Sequence, residues 1–311
     1  MDVQLTSFGK EIVAGLTTGS ITTIVTHPLD LVKIRLQLLA TNSDHLGYRY
    51  VISSVQQNAK GDIRRIVKEV YRGLGINWIG NATAWALYFG LYRASKDLIY
   101  ELQISGNDRH DDQLKRDADL SSWMYLSAGA ISGVITSIAT NPIWVIKTRI
   151  MSTSGYEANS YTSAMDGIKR LIRDEGVRGV WRGLMPSLFG VSQGAIYFMI
   201  YDTLKYRFSS LSYQTEDPNR RKTLKNSETF AISSISKIIS VTAVYPFQLL
   251  KSNLQSFDAK KKKYTFRNLV RSINQAEGLS GFYKGLSANL LRAIPSTCIT
   301  FFLYENIRSI I

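Results

Sequence analysis

The residues best able to do chemistry are two cations in stretches of sequence that otherwise carry no charge. Lys237 is the single Asp, Glu, Lys or Arg within 229–250, and Arg292 is the single one within 285–304. A cation inside an apolar helix is costly and usually faces a polar cavity, where it can bind an anion. The two residues therefore predict a binding site for a negatively charged solute between helices.

Three further lysines follow prolines in a motif that the chain repeats. The copies are His27–Arg35, Asn141–Arg149 and Tyr245–Asn253. The lysines, each five residues after its proline, are Lys33, Lys147 and Lys251. An acid stands two residues after the proline only at Asp30, because the other copies have Trp144 and Gln248 there. Three lysines would meet one carboxylate, so ion pairs should close this region only weakly and leave it positive.

Catalytic groups do not come together in the sequence. No Ser/His/Asp, Cys/His or paired-carboxylate arrangement is evident. His27, His45 and His110 lie at unrelated places, which argues against a metal site. The sequence therefore predicts a protein that is not an enzyme, with no catalytic residue, no metal ion and no catalytic cofactor.

Aromatic and amide side chains recur at helical spacing. Asn81, Trp85 and Tyr88 are spaced i, i+4 and i+7, which places them on one face of a helix. A second such face carries Gly190, Gln193, Gly194 and Tyr197. Stripes of this kind are more often packing than ligand contacts, but packing alone does not account for Asn81. Their rings could stack on a base or a flavin.

Two other tags keep the same order along the chain. An aromatic residue, a cation and a glycine recur at Tyr71–Gly73, Trp181–Gly183 and Tyr283–Gly285. The last tag is Tyr201-Asp202-x-x-Lys205 and Tyr304-Glu305-x-x-Arg308, with a degraded copy at Tyr92-Arg93-x-x-Lys96. Recurrence at a fixed period indicates a repeated structural unit. The predicted repeats are 1–101, 120–208 and 228–311, joined by linkers at 102–119 and 209–227.

Six long segments with at most one charged residue predict membrane-spanning helices. They are 12–29, 74–92, 120–146, 183–201, 229–250 and 285–304. About 20 residues of helix cross the core of a bilayer, and abundant Thr, Ser, Gly and Asn suit helices that line a water-filled cavity. The predicted fold class is an all-α membrane protein, with a soluble all-α protein as the alternative.

The net charge of +14 fits an anionic solute, an anionic lipid surface or a nucleic acid. The loops after the first, third and fifth spans contain 18 Lys or Arg, whereas the two linkers on the opposite side contain 7. Positive residues collect on one side of a membrane protein. The uneven distribution therefore favours a membrane protein without a nucleic-acid partner. The one cysteine, Cys298, allows no intramolecular disulfide.

These repeats and tags are similar to those of the mitochondrial carrier family over essentially the whole chain. The resemblance implies six transmembrane helices in pseudo-threefold symmetry around a central cavity, with short helices on the matrix surface. It also implies a multi-pass protein of the mitochondrial inner membrane that functions as a monomer. Transport would proceed by alternating access between two gates.

The resemblance assigns residues to a gate at each end of the cavity. The matrix gate comprises Asp30, Lys33, Lys147, Gln248 and Lys251, with Gln37 and Gln255 as bracing residues. The cytoplasmic gate comprises Tyr92, Lys96, Asp202, Lys205, Glu305 and Arg308. The chain departs from the family at Trp144, Gln248 and Arg93, where acids are usual.

The Pro-Ile-Trp variant at 142–144 is similar to the branch of the family that carries pyrimidine nucleotides, NAD, folate and FAD. The resemblance favours FAD as the transported substrate, moved alone or by exchange. The predicted substrate site comprises Gly80, Asn81, Trp85, Tyr88, Trp144, Gly190, Val191, Gln193, Tyr197, Lys237 and Arg292. The alternatives are folate, NAD or a pyrimidine nucleotide as cargo, and a flavin-dependent membrane enzyme.

The aromatic–cation–glycine tags place a cation and backbone amides at the start of a helix. The residues concerned are Arg72, Gly73, Arg182, Gly183, Lys284 and Gly285. Such a site suits an anionic lipid headgroup such as that of cardiolipin. Simple anchoring at the membrane interface is the alternative.

Overall fold

Helices account for most of the backbone that the structure describes. The computed structural model describes residues 7–39, 47–103, 120–156, 160–212 and 226–293, together with 295, 296, 299 and 303. None of these residues is in a β-strand. The predicted all-α class is therefore confirmed.

Long and short helices alternate along the chain. The long ones are α1 (Ser7–Leu38), α4 (Leu74–Gln103), α5 (Ser122–Ser152), α7 (Leu184–Ser212) and α8 (Asn226–Gln255). The short ones are α2 (Gly47–Asn58), α3 (Ile63–Val70), α6 (Ala164–Glu175) and α9 (Phe266–Glu277). Short 3-10 segments lie at Val177–Trp181, Phe257–Ala259 and Ser280–Tyr283. A further helix, α10, is described over 286–293.

Three stretches of the described chain are long and apolar enough to cross a membrane, judged by length and composition. They are Trp123–Ser152, Val177–Phe208 and Glu228–Gln255. α1 and α4 contain 32 and 30 residues, and a helix of that length extends about 45 Å at 1.5 Å per residue. These two helices are therefore also longer than the roughly 30 Å core of a bilayer.

Three of the long helices continue through a proline. Pro28, Pro142 and Pro246 lie inside α1, α5 and α8. An internal proline removes one backbone hydrogen bond and clashes with the preceding turn, which bends a helix. The three helices contact one another, and beyond the prolines side chains such as Gln37 of α1 and Ser252 of α8 meet. The proline-containing helices therefore converge at one end.

An apolar core fills the space between these converging ends and the short helices. Val145 and Ile146 of α5 belong to one buried cluster with Leu171 of α6. Leu254 of α8 belongs to another with Leu269 of α9. Full burial of such a side chain stabilises a protein by about 1.5–3 kcal/mol. The short helices thus support the ends of α5 and α8.

The short helices α6 and α9 begin in the same way. The Oγ of Ser163 accepts a hydrogen bond from the backbone N of Asp166 at 3.1 Å. The Oγ1 of Thr265 accepts one from the backbone N of Asn268 at 3.3 Å. Such a cap satisfies an otherwise unpaired amide in the first turn. The two helices therefore start at equivalent places after α5 and α8.

Candidate functional site

The residues predicted to form the matrix gate lie where α1, α5 and α8 converge. The Nζ of Lys33 donates to the Oε1 of Gln248 at 3.4 Å. The Nε2 of Gln248 donates in turn to the Oε1 of Gln193 at 3.1 Å. The amide that replaces an acid in the third repeat therefore connects α1 to α7 through α8, and it does so without neutralising Lys33.

Trp144 replaces the acid of the second repeat with an aromatic ring that contacts two lysines. The Nζ of Lys147 lies 5.1 Å from the ring centre, and the Nζ of Lys251 lies 5.8 Å from it. The indole Nε1 donates to the Oγ1 of Thr140 at 3.0 Å, which orients the ring. Each cation–π contact stabilises by about 0.5–2 kcal/mol. The ring supplies no counter-charge to either lysine.

The bracing glutamines each join two proline-containing helices. The Oε1 of Gln37 accepts from the Oγ of Ser252 at 2.7 Å, between α1 and α8. The Oε1 of Gln255 accepts from the Oγ1 of Thr148 at 3.2 Å, between α5 and α8. Both glutamine side chains are buried. These links close the convergent end one helical turn beyond the gate lysines.

Asp30, the acid of the first repeat, pairs with Arg292 and not with a gate lysine. The Nε of Arg292 lies 3.1 Å from its Oδ1. Within the described chain, no nitrogen of Lys33, Lys147 or Lys251 lies within 4.0 Å of its carboxylate. The lysines are elsewhere because Lys33 contacts an amide and the other two contact an indole. A predicted substrate residue thus lies directly beside the matrix gate.

Gly80 and Val191, both predicted substrate contacts, serve close helix packing in this structure. A Cβ added to Gly80 would lie 3.0 Å from Ile143 and 3.3 Å from the ring of Trp144. A Cβ added to Gly133 would lie 2.7 Å from Val191. Around Gly190, in contrast, an added Cβ meets no atom within 4 Å. Of these positions, Gly190 has open space beside it.

Lys237 lies against the aromatic side chains of α7. Its Nζ is 5.9 Å from the ring centre of Tyr197, which is stacked on Tyr201 with ring centres 6.0 Å apart. Lys237 is also within Coulombic range of Arg292. Lys237 and Arg292, the two cations inside otherwise uncharged segments, are therefore close enough to interact electrostatically.

The aromatic residues of α4 form a continuous group. The rings of Trp85 and Tyr88 meet edge to face with centres 6.5 Å apart, and those of Tyr88 and Tyr92 stack at 6.0 Å. Asn81, one turn earlier than Trp85, donates to the Oγ1 of Thr23 in α1 at 3.4 Å. The Nζ of Lys96 lies 5.5 Å from the ring of Tyr92. The group extends from the substrate site to the predicted cytoplasmic gate.

The cytoplasmic gate is described only in part, because Glu305 and Arg308 lie outside the described residues. Asp202 and Lys205 are exposed. The Nζ of Lys205 lies 5.8 Å from the ring of Tyr201, which belongs to the same helix. The two described lysines of this predicted gate thus contact aromatic rings.

Five basic side chains and one acid interact electrostatically in this region. The cations are Lys33, Lys147, Lys237, Lys251 and Arg292, and the acid is Asp30. Arg292 lies within Coulombic range of Lys33, Lys147 and Lys237. Removing like charges from water is costly unless an anion compensates them. The geometry therefore suits a ligand with several negative charges. Among the described residues, no cluster of His, Cys, Asp and Glu could hold a metal ion.

The cations predicted to bind lipid are engaged within the protein. Arg72 donates to the backbone carbonyls of Thr153 and Tyr161. The Nε of Arg182 lies 2.6 Å from Glu175, and the Nζ of Lys284 lies 2.9 Å from Glu277. The glycines that follow the three cations have φ of 82°, 72° and 79° and precede the start of a helix. A headgroup at these sites would thus meet backbone amides more directly than the cationic side chains.

Two buried ion pairs were not predicted from the sequence. The Nη2 of Arg35 lies 2.6 Å from Glu69, and the Nη2 of Arg149 lies 2.7 Å from Glu175. Both arginines stand seven residues after the proline of their motif, where the third copy has Asn253. That shared register was the available signal. The pairs fasten α1 and α5 to the short helices that follow them.

The role of the residue before each proline was also not predicted from the sequence. His27, Asn141 and Tyr245 all donate to the backbone carbonyl of the cation in the aromatic–cation–glycine tag. The acceptors are Arg72, Arg182 and Lys284, at 3.0, 3.2 and 2.7 Å. Imidazole, amide and phenol perform one task, because each can donate a hydrogen bond at this position. Within each repeat, this contact ties the bent helix to the start of the next long helix.

The comparison with known proteins decides the family. A sequence profile described as mitochondrial carrier protein matches residues 4–103, 118–212 and 222–311. The chain belongs to the mitochondrial carrier family. This mitochondrial carrier is 51% identical to the mitochondrial FAD carrier protein FLX1 of Saccharomyces cerevisiae, over 99% of each chain.

Two other relatives of this mitochondrial carrier come from Arabidopsis thaliana. Nicotinamide adenine dinucleotide transporter 2, mitochondrial, is 35% identical over 94% of this chain and 77% of the relative. Folate transporter 1, chloroplastic, is 31% identical over 94% of this chain and 92% of the relative. The resemblance predicted from the motifs is therefore confirmed at the level of the family and of its folate and NAD relatives.

Proposed function

We propose that the protein transports FAD across the mitochondrial inner membrane by alternating access. The observation that carries this proposal is the 51% identity to a mitochondrial FAD carrier over 99% of both chains. The positive interior supports it independently, because FAD carries a pyrophosphate. A carrier of a neutral solute would have no use for five cations against one carboxylate.

The side chains at the site can divide the recognition of FAD between them. The pyrophosphate would pair with Arg292 and Lys237, which act on the same region. A flavin or adenine ring would stack on aromatic faces such as Tyr88 and Tyr197. The Nε2 of Gln193 could donate to a carbonyl of the flavin ring. The Oε1 of the same side chain already accepts a hydrogen bond from Gln248.

Six transmembrane helices in three repeats would enclose this site. α1, α4, α5, α7 and α8 supply five of them, and α10 begins the sixth directly after Gly285. The contacts of the pre-proline residues support the threefold arrangement, because the same hydrogen bond occurs in each repeat. One chain would then form one complete transport path as a monomer.

Alternating access requires that substrate binding offsets the free energy of opening one gate and closing the other. The contacts among the predicted matrix-gate residues, such as those of Gln248 and Trp144, would be broken when this gate opens. No ion pair of the second or third repeat has to be broken, because Trp144 and Gln248 replace the acids of those repeats. Binding of FAD therefore has a modest free energy to overcome.

NAD and folate are the competing cargoes, since relatives named for them are 35% and 31% identical. A competition assay on the reconstituted protein separates the candidates. Liposomes loaded with FAD take up labelled FAD, and unlabelled FAD, NAD, folate or CTP is added outside. We expect FAD to compete best. Stronger competition by another compound would reassign the cargo, and no uptake of any of them would overturn transport of this class.

A further inference from the structure

Asp30 is in contact with residues of the second and sixth spans. The Nδ2 of Asn77 in α4 donates to its Oδ2 at 3.4 Å, and the Nε of Arg292 in α10 lies 3.1 Å from its Oδ1. The contact with Arg292 is an ion pair by distance, but it is not a hydrogen bond. The Nε of Arg292 is buried and has no hydrogen-bond partner among the described residues.

Asn77 is fully buried and its orientation is fixed by its neighbours. The Nε2 of His27 donates to the carbonyl of Arg72 at 3.0 Å, so its Nδ1 is left as an acceptor. The Nδ2 of Asn77 donates to this Nδ1 at 3.2 Å and also donates to Asp30. Its Oδ1 therefore points the other way, and it accepts from Asn81 at 3.5 Å.

Asp30 is thereby connected to the substrate site on two sides. Arg292 contacts it directly, and Asn81 reaches it through Asn77. Both Arg292 and Asn81 are proposed to touch the substrate, whereas Asn77 has no such role.

We propose that Asn77 is a positioning residue that shares Asp30 with Arg292, and that an anionic substrate displaces Asp30 from Arg292. This inference rests on the proposed function, in that the substrate carries phosphate. A phosphate oxygen supplies the acceptor that the misaligned Nε–H lacks. Occupation of the site therefore breaks an ion pair between α1 and α10 beside the predicted matrix gate.

The proposal predicts a pattern of FAD dissociation constants for the purified full-length protein. Asp30→Asn removes the competing anion, so Kd should fall by about fivefold, within the usual range of coupling between sites. In Asn77→Ala the carboxylate of Asp30 loses its contact with Asn77 and keeps the one with Arg292. The Kd for FAD should therefore rise by a similar factor. In the Asp30→Asn background, Asn77→Ala should have no effect. That dependence separates positioning from a merely structural role.

A matched control lies in the third repeat. Asn289 stands four residues after Gly285, as Asn77 stands four after Gly73, and it is similarly buried. Gln248 replaces the acid in that repeat, so Asn289→Ala should leave Kd unchanged. An unchanged Kd in Asp30→Asn would overturn the proposal, and so would an equal effect of Asn77→Ala in both backgrounds. If Asn77→Ala does not fold, Asp30→Asn alone decides.

Different results would overturn the assignment of FAD as the substrate and the displacement of Asp30 by the substrate. If the wild type binds no FAD, the assignment of FAD is wrong, and the same variants are titrated with inorganic pyrophosphate. A fall in the pyrophosphate Kd of Asp30→Asn would still support displacement of Asp30. Binding of neither compound by the wild type would contradict both the inference and the proposed function.

Discussion

Lys33 and Gln248 are joined by a hydrogen bond of 3.4 Å from Nζ to Oε1, which connects α1 to α8 within the predicted matrix gate. An acid at position 248 would form an ion pair with the same lysine. The amide keeps the link but supplies no counter-charge to Lys33. The gate can therefore be closed while its lysines still attract an anion.

Gln248→Glu should strengthen the closed gate and slow transport. The new carboxylate would neutralise Lys33 in a buried setting, where an unpaired charge is costly. We expect the melting temperature in detergent to rise by about 2–4 °C and the rate of FAD uptake to fall. Gln56→Glu adds the same charge on the exposed part of α2 and should change neither. Faster uptake without added stability would contradict this account of the gate.

Glu175→Gln should destabilise the protein strongly. Its carboxylate is 2.7 Å from Arg149 and 2.6 Å from Arg182, and both Arg149 and Glu175 are at most 5% exposed. Removing one partner of a buried ion pair costs about 3–5 kcal/mol. Asp174→Asn is the control, because its pair with Arg173 is exposed and should contribute at most about 1 kcal/mol. Equal losses on thermal unfolding would show that burial does not set the difference.

Gly133→Ala should destabilise the bundle, whereas Gly19→Ala should not. Both glycines stand nine residues before the proline of their motif. An added Cβ would lie 2.7 Å from Val191 at Gly133 but meets no atom within 4 Å at Gly19. Overpacking typically costs about 1–3 kcal/mol, while alanine in a helix gains about 0.5–1 kcal/mol over glycine. Adding Val191→Ala should rescue Gly133→Ala. Failure of that rescue would exclude the contact as the cause.

Much of the fold and of the charge pattern could be predicted from the sequence. The motif registers predict where α1, α5 and α8 pass through their prolines, because a repeat has to place its bend at the same position each time. Arg292 could be recognised because a cation so far into an uncharged segment has to face something polar.

The partners of these residues could not be predicted. Asp30 and Arg292 are 262 positions apart, and their contact depends on how the first and sixth spans pack. His27, Asn141 and Tyr245 share a function but not a residue type, so no motif marks them. The pairing of Lys284 with Glu277 did have a signal, since Arg182 and Glu175 are also seven residues apart.

Binding of cardiolipin remains a prediction, and the structure changes how to test it. Lys284 is paired with Glu277 at 2.9 Å, so the backbone amides after Gly285 should hold the headgroup. Cardiolipin should therefore raise the melting temperature of the wild type and of Lys284→Met by similar amounts, measured against a neutral lipid. Loss of the shift in Lys284→Met would assign the binding to the cation. No shift in the wild type would exclude the site.

Uptake of labelled FAD by liposomes that contain the purified protein tests the central claim most directly. The account predicts saturable uptake by the wild type and at least a tenfold loss of rate in Arg292→Ala, equivalent to about 1.4 kcal/mol or more. Asn289→Ala should transport normally. Uptake of NAD, folate or CTP with none of FAD, or full FAD transport by Arg292→Ala, would contradict it.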